Sequence, residues 1–125
     1  MIPVFSVIGL FITSLLGIHT DSDKLVNLFG KGDASELSVY FNASMQLAIP
    51  GKEGVYSKAQ ARMILDDFFE NNKPVSAKLS SKGNSENGAQ YVNITLSTAT
   101  ETFKVSVFYR GKDTKLKIHE LKIEK

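Results

Sequence analysis

The adjacent residues His119 and Glu120 form the acid/base pair of this sequence that is best placed for chemistry. In the last predicted strand apolar residues occupy every second position, and the pair lies where this alternation shifts by one residue. Leu116 and Ile118 are at even positions, whereas the apolar residues after the pair are at odd positions. A change of phase within one strand predicts a β-bulge, and bulges are common beside functional sites. A carboxylate that a bulge turns into an apolar cavity would be suited to proton abstraction.

The remaining carboxylates are less promising as catalytic groups. The aspartates fall in the polar segment before the first predicted helix, at a helix cap, on the polar face of a helix and in a turn, and none lies on a predicted strand. Because neighbouring strand residues point to opposite faces, at most one of His119 and Glu120 enters the interior unless the bulge turns both. The alternative is that His119 is a structural residue, and the sequence favours a protein without catalytic activity.

Aromatic residues supply a second candidate site, a pocket for a small apolar ligand. A tyrosine combines an apolar ring with a polar hydroxyl, which suits the lining of a ligand cavity. The predicted lining residues are Tyr40, Phe41, Tyr56, Phe68, Tyr91 and Tyr109. The alternative is that these rings pack the core and that the tyrosine hydroxyls reach its rim.

The composition argues against metals, cofactors and nucleic acids as partners. The chain has no cysteine and only two histidines, one of which is predicted to be lost on export, so a thiolate or histidine metal site is not expected. The Gly30-Lys31-Gly32 run has neither the length nor the preceding strand of a phosphate loop. A net charge of +2 is too small to indicate a nucleic-acid partner.

A predicted helix near the middle of the chain must cover the strands that carry these residues. Ser57 and Gln60 form a capping box, which marks the start of a helix. The apolar residues 61, 64, 65 and 68 then recur with the spacing of an amphipathic helix. Asn72 and Pro74 end it, since the residue before a proline is pushed out of the helical region.

The remaining pattern predicts two short helices before this long one and strands around it. Alternating residues predict a first strand after Ser44 and a short second strand near Glu53. Four consecutive strands follow Pro74, with Val75 predicted to face inward and with Asn87-Gly88 as a hairpin turn. The predicted fold is α+β: two short N-terminal helices plus one long helix packed on a strongly bent, mostly antiparallel sheet that forms a cone.

The order of these elements resembles the nuclear-transport-factor-2-like cone fold, also called SnoaL-like or cystatin-like. Within that fold, residues 37–42, residues 52–61 and Phe68-Phe69 resemble a family of small exported bacterial proteins classed as a domain of unknown function. Isomerases of the fold place an acidic base and a tyrosine inside the cone, whereas many other members are binding or dimerisation modules. The resemblance therefore implies the fold and leaves the activity open.

The first eighteen residues carry no charge and are mostly apolar, which is typical of an export signal. We expect residues 1–20 to be an export signal and residues 21–125 to form a single domain that is periplasmic or secreted. The alternative is an uncleaved membrane anchor formed by residues 2–18, which would be the chain's one contact with a membrane.

Three functions are consistent with the sequence. The first, which we favour, is an exported non-catalytic module that binds a small apolar ligand inside the cone. The second is a structural protein that forms a homodimer through its sheet, with Phe108 in the contact. The third is a small isomerase or cyclase that uses His119 or Glu120 together with a tyrosine.

Overall fold

The structure, a computed structural model, describes residues 20–125. The predicted export signal therefore lies outside the described residues, apart from Thr20. The helices are α1 (Asp21–Lys31), α2 (Ala34–Ser38) and α3 (Lys58–Asn71), and the strands are β1 (Phe41–Ile49), β2 (Lys52–Ser57), β3 (Pro74–Asn84), β4 (Gln90–Thr98), β5 (Thr102–Arg110) and β6 (Lys117–Glu124). Among these helices none is long and apolar enough to cross a membrane.

Each helix begins at a polar residue that caps its first turn, and for α3 this residue is the predicted Ser57. The Ser57 hydroxyl accepts the Gln60 backbone N–H at 3.2 Å, and the Gln60 side chain accepts the Ser57 backbone N–H at 3.0 Å. Thr20 and Asp23 form the same reciprocal pair at the start of α1. These caps satisfy backbone donors that have no partner inside the helix, so they fix where each helix starts.

The six strands form one sheet in the order β2-β1-β6-β5-β4-β3. Every neighbouring pair is antiparallel except β1 and β6, which are parallel. Helix α1 packs on β3 and β4, α3 packs on β1 and β2, and α2 packs on α3. All three helices thus cover one face of the sheet, which confirms the predicted α+β architecture.

A β-bulge interrupts β6 where the sequence predicts one. Glu120 pairs with Phe108 and Ile118 pairs with Tyr109, so His119 is an extra residue without an opposite partner on β5. The bulge shifts the alternation of β6 by one residue. Ile118 before it and Leu121 after it are both fully buried for this reason.

Two strand predictions are wrong in detail. β1 begins at Phe41 and runs through Asn42 and Ser44, because Phe41 already pairs with Ile118 of β6. Val75 is 70% exposed and does not face inward, because the pairing of β3 with β4 shifts by one residue at that position. Both features depend on pairing between distant segments, which alternation within one strand does not reveal.

The space between the helices and the sheet is filled by a continuous apolar core. Phe68 of α3 contacts Phe69 and Phe103 edge to face, with ring centroids 5.7 and 5.2 Å away. Phe68 is 5% exposed and Phe41 is 1% exposed. These two phenylalanines, which were predicted to line a ligand pocket, are packed core residues.

Candidate functional site

The strand registers align one residue from every strand in a row across the sheet. We call this the outer row, and it consists of Val55 (β2), Gln46 (β1), Glu120 (β6), Phe108 (β5), Tyr91 (β4) and Gly83 (β3). Its members alternate with buried residues such as Leu47, Leu121 and Val107. The outer row therefore lies on the face of the sheet opposite the helices.

Two aromatic rings occupy one half of the outer row. The Tyr91 ring lies across β3 above Gly83, where an added Cβ would be 2.7 Å from the Tyr91 hydroxyl. Phe108 packs beside Tyr91, with ring centroids 6.2 Å apart. Because Gly83 has no side chain, the Tyr91 ring can lie across β3 and remain beside the Phe108 ring.

The β6 bulge opens a cleft beside these rings, which we call the bulge cleft. Its volume is about 520 Å³, and its lining includes the apolar residues Val55 and Phe108 and the charged or polar residues Glu86, Arg110, His119 and Glu120. His119 and Glu120 are both half-buried and both line it. The bulge has thus turned both members of the predicted pair into one cleft, which alternation alone would have prevented.

A smaller cleft of about 280 Å³ continues along β1 and β2. It shares Gln46, Val55 and Glu120 with the bulge cleft and adds Glu53. The two clefts together follow the outer row from β5 to β2.

The charged residues of the bulge cleft are not neutralised by one another. The side chains of Glu86 and Glu120 make no ion pair or hydrogen bond with any residue in the described part of the chain. The Arg110 guanidinium instead donates a hydrogen bond to the Asn87 backbone carbonyl, which holds it against the β3–β4 hairpin. The cleft therefore contains two carboxylates, those of Glu86 and Glu120, without an ion-pair partner among the described residues.

A neighbouring row of residues on the outer face, Ser106, Asn93 and Ser81, is polar, and its side chains form hydrogen bonds with one another. The Ser106 hydroxyl donates to the Asn93 side-chain oxygen at 2.8 Å, and the Asn93 amide donates to the Ser81 hydroxyl at 2.9 Å. This chain of hydrogen bonds across β5, β4 and β3 satisfies the groups with each other. It leaves the bulge cleft as the open part of the outer face.

Tyr109 lies at the edge of the bulge cleft and connects it to a cleft of about 410 Å³ at the start of α1. It is 4% exposed. Burial raises the pKa of its hydroxyl above the usual value of 10.0, and the nearby Asp21 carboxylate raises it further. The neutral hydroxyl is therefore the form that the fold favours.

The structure separates the six predicted pocket residues. Of the six, Tyr109 alone lines the bulge cleft. Tyr109 and Tyr91 both line the other cleft, at the start of α1. Tyr40 lies beside Lys24, whose Nζ is 4.9 Å from the ring centroid, and Tyr56 folds over Gly54. Sequence reasoning did not include Glu86, Arg110 or Val55, which reach the cleft from three separate strands or turns.

No group of three or more metal-binding side chains occurs among residues 20–125. Glu86, His119 and Glu120 all line the bulge cleft but do not form such a group.

Comparison with solved structures shows what this chain is similar to. A DUF4783 family protein from Bacteroides uniformis ATCC 8492 is 29% identical, with 81% of this chain and 93% of that one covered at a TM-score of 0.72. One from Bacteroides ovatus ATCC 8483 is 26% identical, with 81% and 91% covered at the same TM-score. An NTF-2 like protein of unknown function from Burkholderia xenovorans LB400 is 9% identical, with 78% and 73% covered at a TM-score of 0.56. The last likeness concerns the fold alone and, together with the others, confirms the predicted nuclear-transport-factor-2-like cone.

A search of curated proteins finds no match. The family model described as "Domain of unknown function (DUF4783)" matches residues 22–124, which are nearly all of the described chain. The predicted resemblance to a domain-of-unknown-function family is thereby confirmed, and the chain belongs to the DUF4783 family.

Proposed function

We propose that this protein is an exported, non-catalytic binding module that holds a small organic molecule in the bulge cleft. The observation that carries the proposal is the β6 bulge, which places His119, Glu120 and the Phe108 ring around one opening. A volume of about 520 Å³ is within the range of small-molecule sites, which is roughly 300 to 1,000 Å³. The interior of the cone, where the sequence placed the ligand, is occupied by core side chains.

The same geometry gives less support to an isomerase or cyclase. A catalytic base in such an enzyme works best when it is removed from water and held against its reacting proton. Glu120 and His119 are half-buried in an open cleft, and neither side chain is oriented by a hydrogen bond from another described residue. Binding needs only the shape and charge that the cleft already has.

Titration with benzyl alcohol, followed by two-dimensional NMR, tests the binding proposal. We expect chemical-shift changes at the amides of Phe108, His119 and Glu120, because a neutral aromatic ring would stack on the Phe108 side. Phe108→Ala should weaken binding by about tenfold, which corresponds to roughly 1.4 kcal/mol. Tyr40→Ala removes another half-buried ring away from the cleft and serves as the matched control. Shifts confined to core residues such as Phe68, or equal losses in both variants, would refute binding in the cleft.

Export is part of the proposal and rests on the uncharged apolar residues 1–18. Mass spectrometry of the protein from its host should give an intact mass that lacks the first seventeen to twenty residues. Full-length protein in the soluble cytosol would contradict export, whereas full-length protein in the membrane fraction would support the anchored alternative.

A homodimer through the outer face is the second candidate, and exposed apolar surface on the outer row favours it. Val55 is 67% exposed at one end of that row, with Phe108 and Tyr91 toward the other end. Sedimentation equilibrium of wild type and Phe108→Asp tests it: a dimer that this variant dissociates would support the candidate. A wild-type monomer at high concentration would exclude it.

A further inference from the structure

We propose that the ligand of the bulge cleft is an organic cation, an amine or quaternary ammonium attached to an apolar group. This inference rests on the proposed function, since it names the chemical class that the cleft would bind. It concerns the outer face of the sheet and involves none of the interior of the cone.

The first support is the unpaired carboxylate of Glu120. It lies in the middle of the outer row, half-buried, without an ion pair or side-chain hydrogen bond to any described residue. The other carboxylate of β6 differs in this respect, since Glu124 pairs with Lys122 at 3.8 Å. Partly desolvating a carboxylate without a partner costs free energy, and a bound cation would offset that cost.

The second support is the aromatic surface beside this carboxylate. Phe108 is the cross-strand partner of Glu120, so their Cβ atoms are about 5 Å apart. Tyr91 extends the aromatic surface from Phe108 across Gly83. Aromatic faces attract ammonium groups, and an anion next to them adds a direct charge interaction.

The third support is the distribution of charge along the two joined clefts. Glu53, Glu86 and Glu120 line them, whereas Arg110 is the one arginine or lysine among the lining residues and donates to the Asn87 carbonyl. The surrounding strands are basic: from Lys73 onward the sequence has ten Lys or Arg and five Asp or Glu. The carboxylates that line the groove attract a cation at short range, against the positive charge of the surrounding strands.

Three probes of similar shape and different charge test the inference on the protein purified from its host. Benzylamine is a cation at neutral pH, benzyl alcohol is neutral and benzoate is an anion. We expect benzylamine to bind about tenfold more tightly than benzyl alcohol, and benzoate to bind most weakly. The dissociation constants come from NMR titration at low salt, because added salt screens the charge contribution.

Glu120→Gln should lower benzylamine affinity by about tenfold and should change benzyl alcohol affinity by clearly less than that. Glu124→Gln is the matched control, since it makes the same change of charge on the same strand and face but outside the clefts. It should leave the affinity for both probes unchanged within about twofold.

The outcomes separate this inference from the proposed function. If benzyl alcohol binds in the cleft and the three probes show no preference for the cation, the inference fails and the binding module stands. If Glu124→Gln weakens benzylamine as much as Glu120→Gln does, the field of the whole protein and not Glu120 is responsible, and the inference fails as well. If none of the three probes binds in the cleft, both proposals fail.

Discussion

Tyr109 shows how a single residue connects burial to the pH dependence of stability. Burial, together with the Asp21 carboxylate, raises its pKa above 10.0, so the folded protein holds the phenol proton more tightly than the unfolded chain does. The stability from this difference is fully present below pH 10.0 and is lost as the pH rises through the raised pKa. Stability therefore depends on the protonation of Tyr109 only in the alkaline range, and near neutrality this group adds no pH dependence.

Tyr109→Phe should therefore make the free energy of unfolding fall less steeply above pH 10.0 than it does in the wild type. Absorbance at the tyrosinate band should show a late-titrating phase in the wild type that this variant lacks. Tyr40→Phe is the control and should retain the late phase. If Tyr40→Phe lost the late phase instead, the raised pKa would belong to Tyr40 and not to Tyr109.

Single residues also show what the sequence could predict about the site. His119 and Glu120 were identifiable because the bulge changes the phase of apolar residues within one strand. Arg110 and Val55 were not, because they reach the cleft only through the pairing of β5 with β6 and of β2 with β1. Pairing between distant strands has no local signal in the sequence.

Secondary-structure elements follow the sequence closely where their determinants are local. The capping box at Ser57 involves residues three positions apart, and α3 begins there as predicted. The start of β1 and the orientation of Val75 depend on strand partners far along the chain, and there the sequence was misleading. Local chemistry fixes where the helices start, whereas strand pairing fixes where β1 starts and which side chains are buried.

Ser57→Ala should lower the free energy of unfolding by about 1 kcal/mol, because it leaves an N–H of the first turn of α3 without its partner. Ser35→Ala removes an exposed serine inside α2 and should change stability by less than about 0.5 kcal/mol. Urea titration of both variants measures the difference. Equal effects would mean that the Ser57 cap does not stabilise α3.

Two glycines test the turns that connect the strands. Gly111 and Gly51 both have positive φ, at +82 and +87, but an added Cβ at Gly111 would be 2.3 Å from the Lys115 carbonyl oxygen while Gly51 has open space. Gly51→Ala should cost about 1 to 2 kcal/mol from backbone conformation alone. Gly111→Ala should cost about 3 kcal/mol or more, because the 111–116 turn must also shift. If both variants lost a similar amount of stability in a urea titration, the 111–116 turn would accommodate the added Cβ without extra strain.

The whole molecule is a cone whose interior is a single packed core, so its stability depends on the contact between α3 and the sheet. Phe68 is the clearest link, since it reaches from α3 to Phe103 of β5. Because the helices and the core side chains occupy the inner face of the sheet, the proposed ligand site lies on the outer face. The bulge cleft lies on the outer face, which no helix of residues 20–125 covers.

Phe68→Ala should lower the free energy of unfolding by about 3 to 5 kcal/mol, because it removes a buried ring and leaves a cavity between α3 and β5. Val75→Ala, at a side chain that is 70% exposed, should change it by less than about 0.5 kcal/mol. Denaturant titration compares the free energies of unfolding of the two variants. A second measurement is the affinity of Phe68→Ala for benzyl alcohol, under conditions in which this variant is still folded. Since the cleft and the core lie on opposite faces, binding at the cleft should persist in this destabilised variant. A neutral Phe68→Ala would mean that α3 does not hold the sheet, and loss of cleft binding in a folded variant would mean that the two faces are coupled through the sheet.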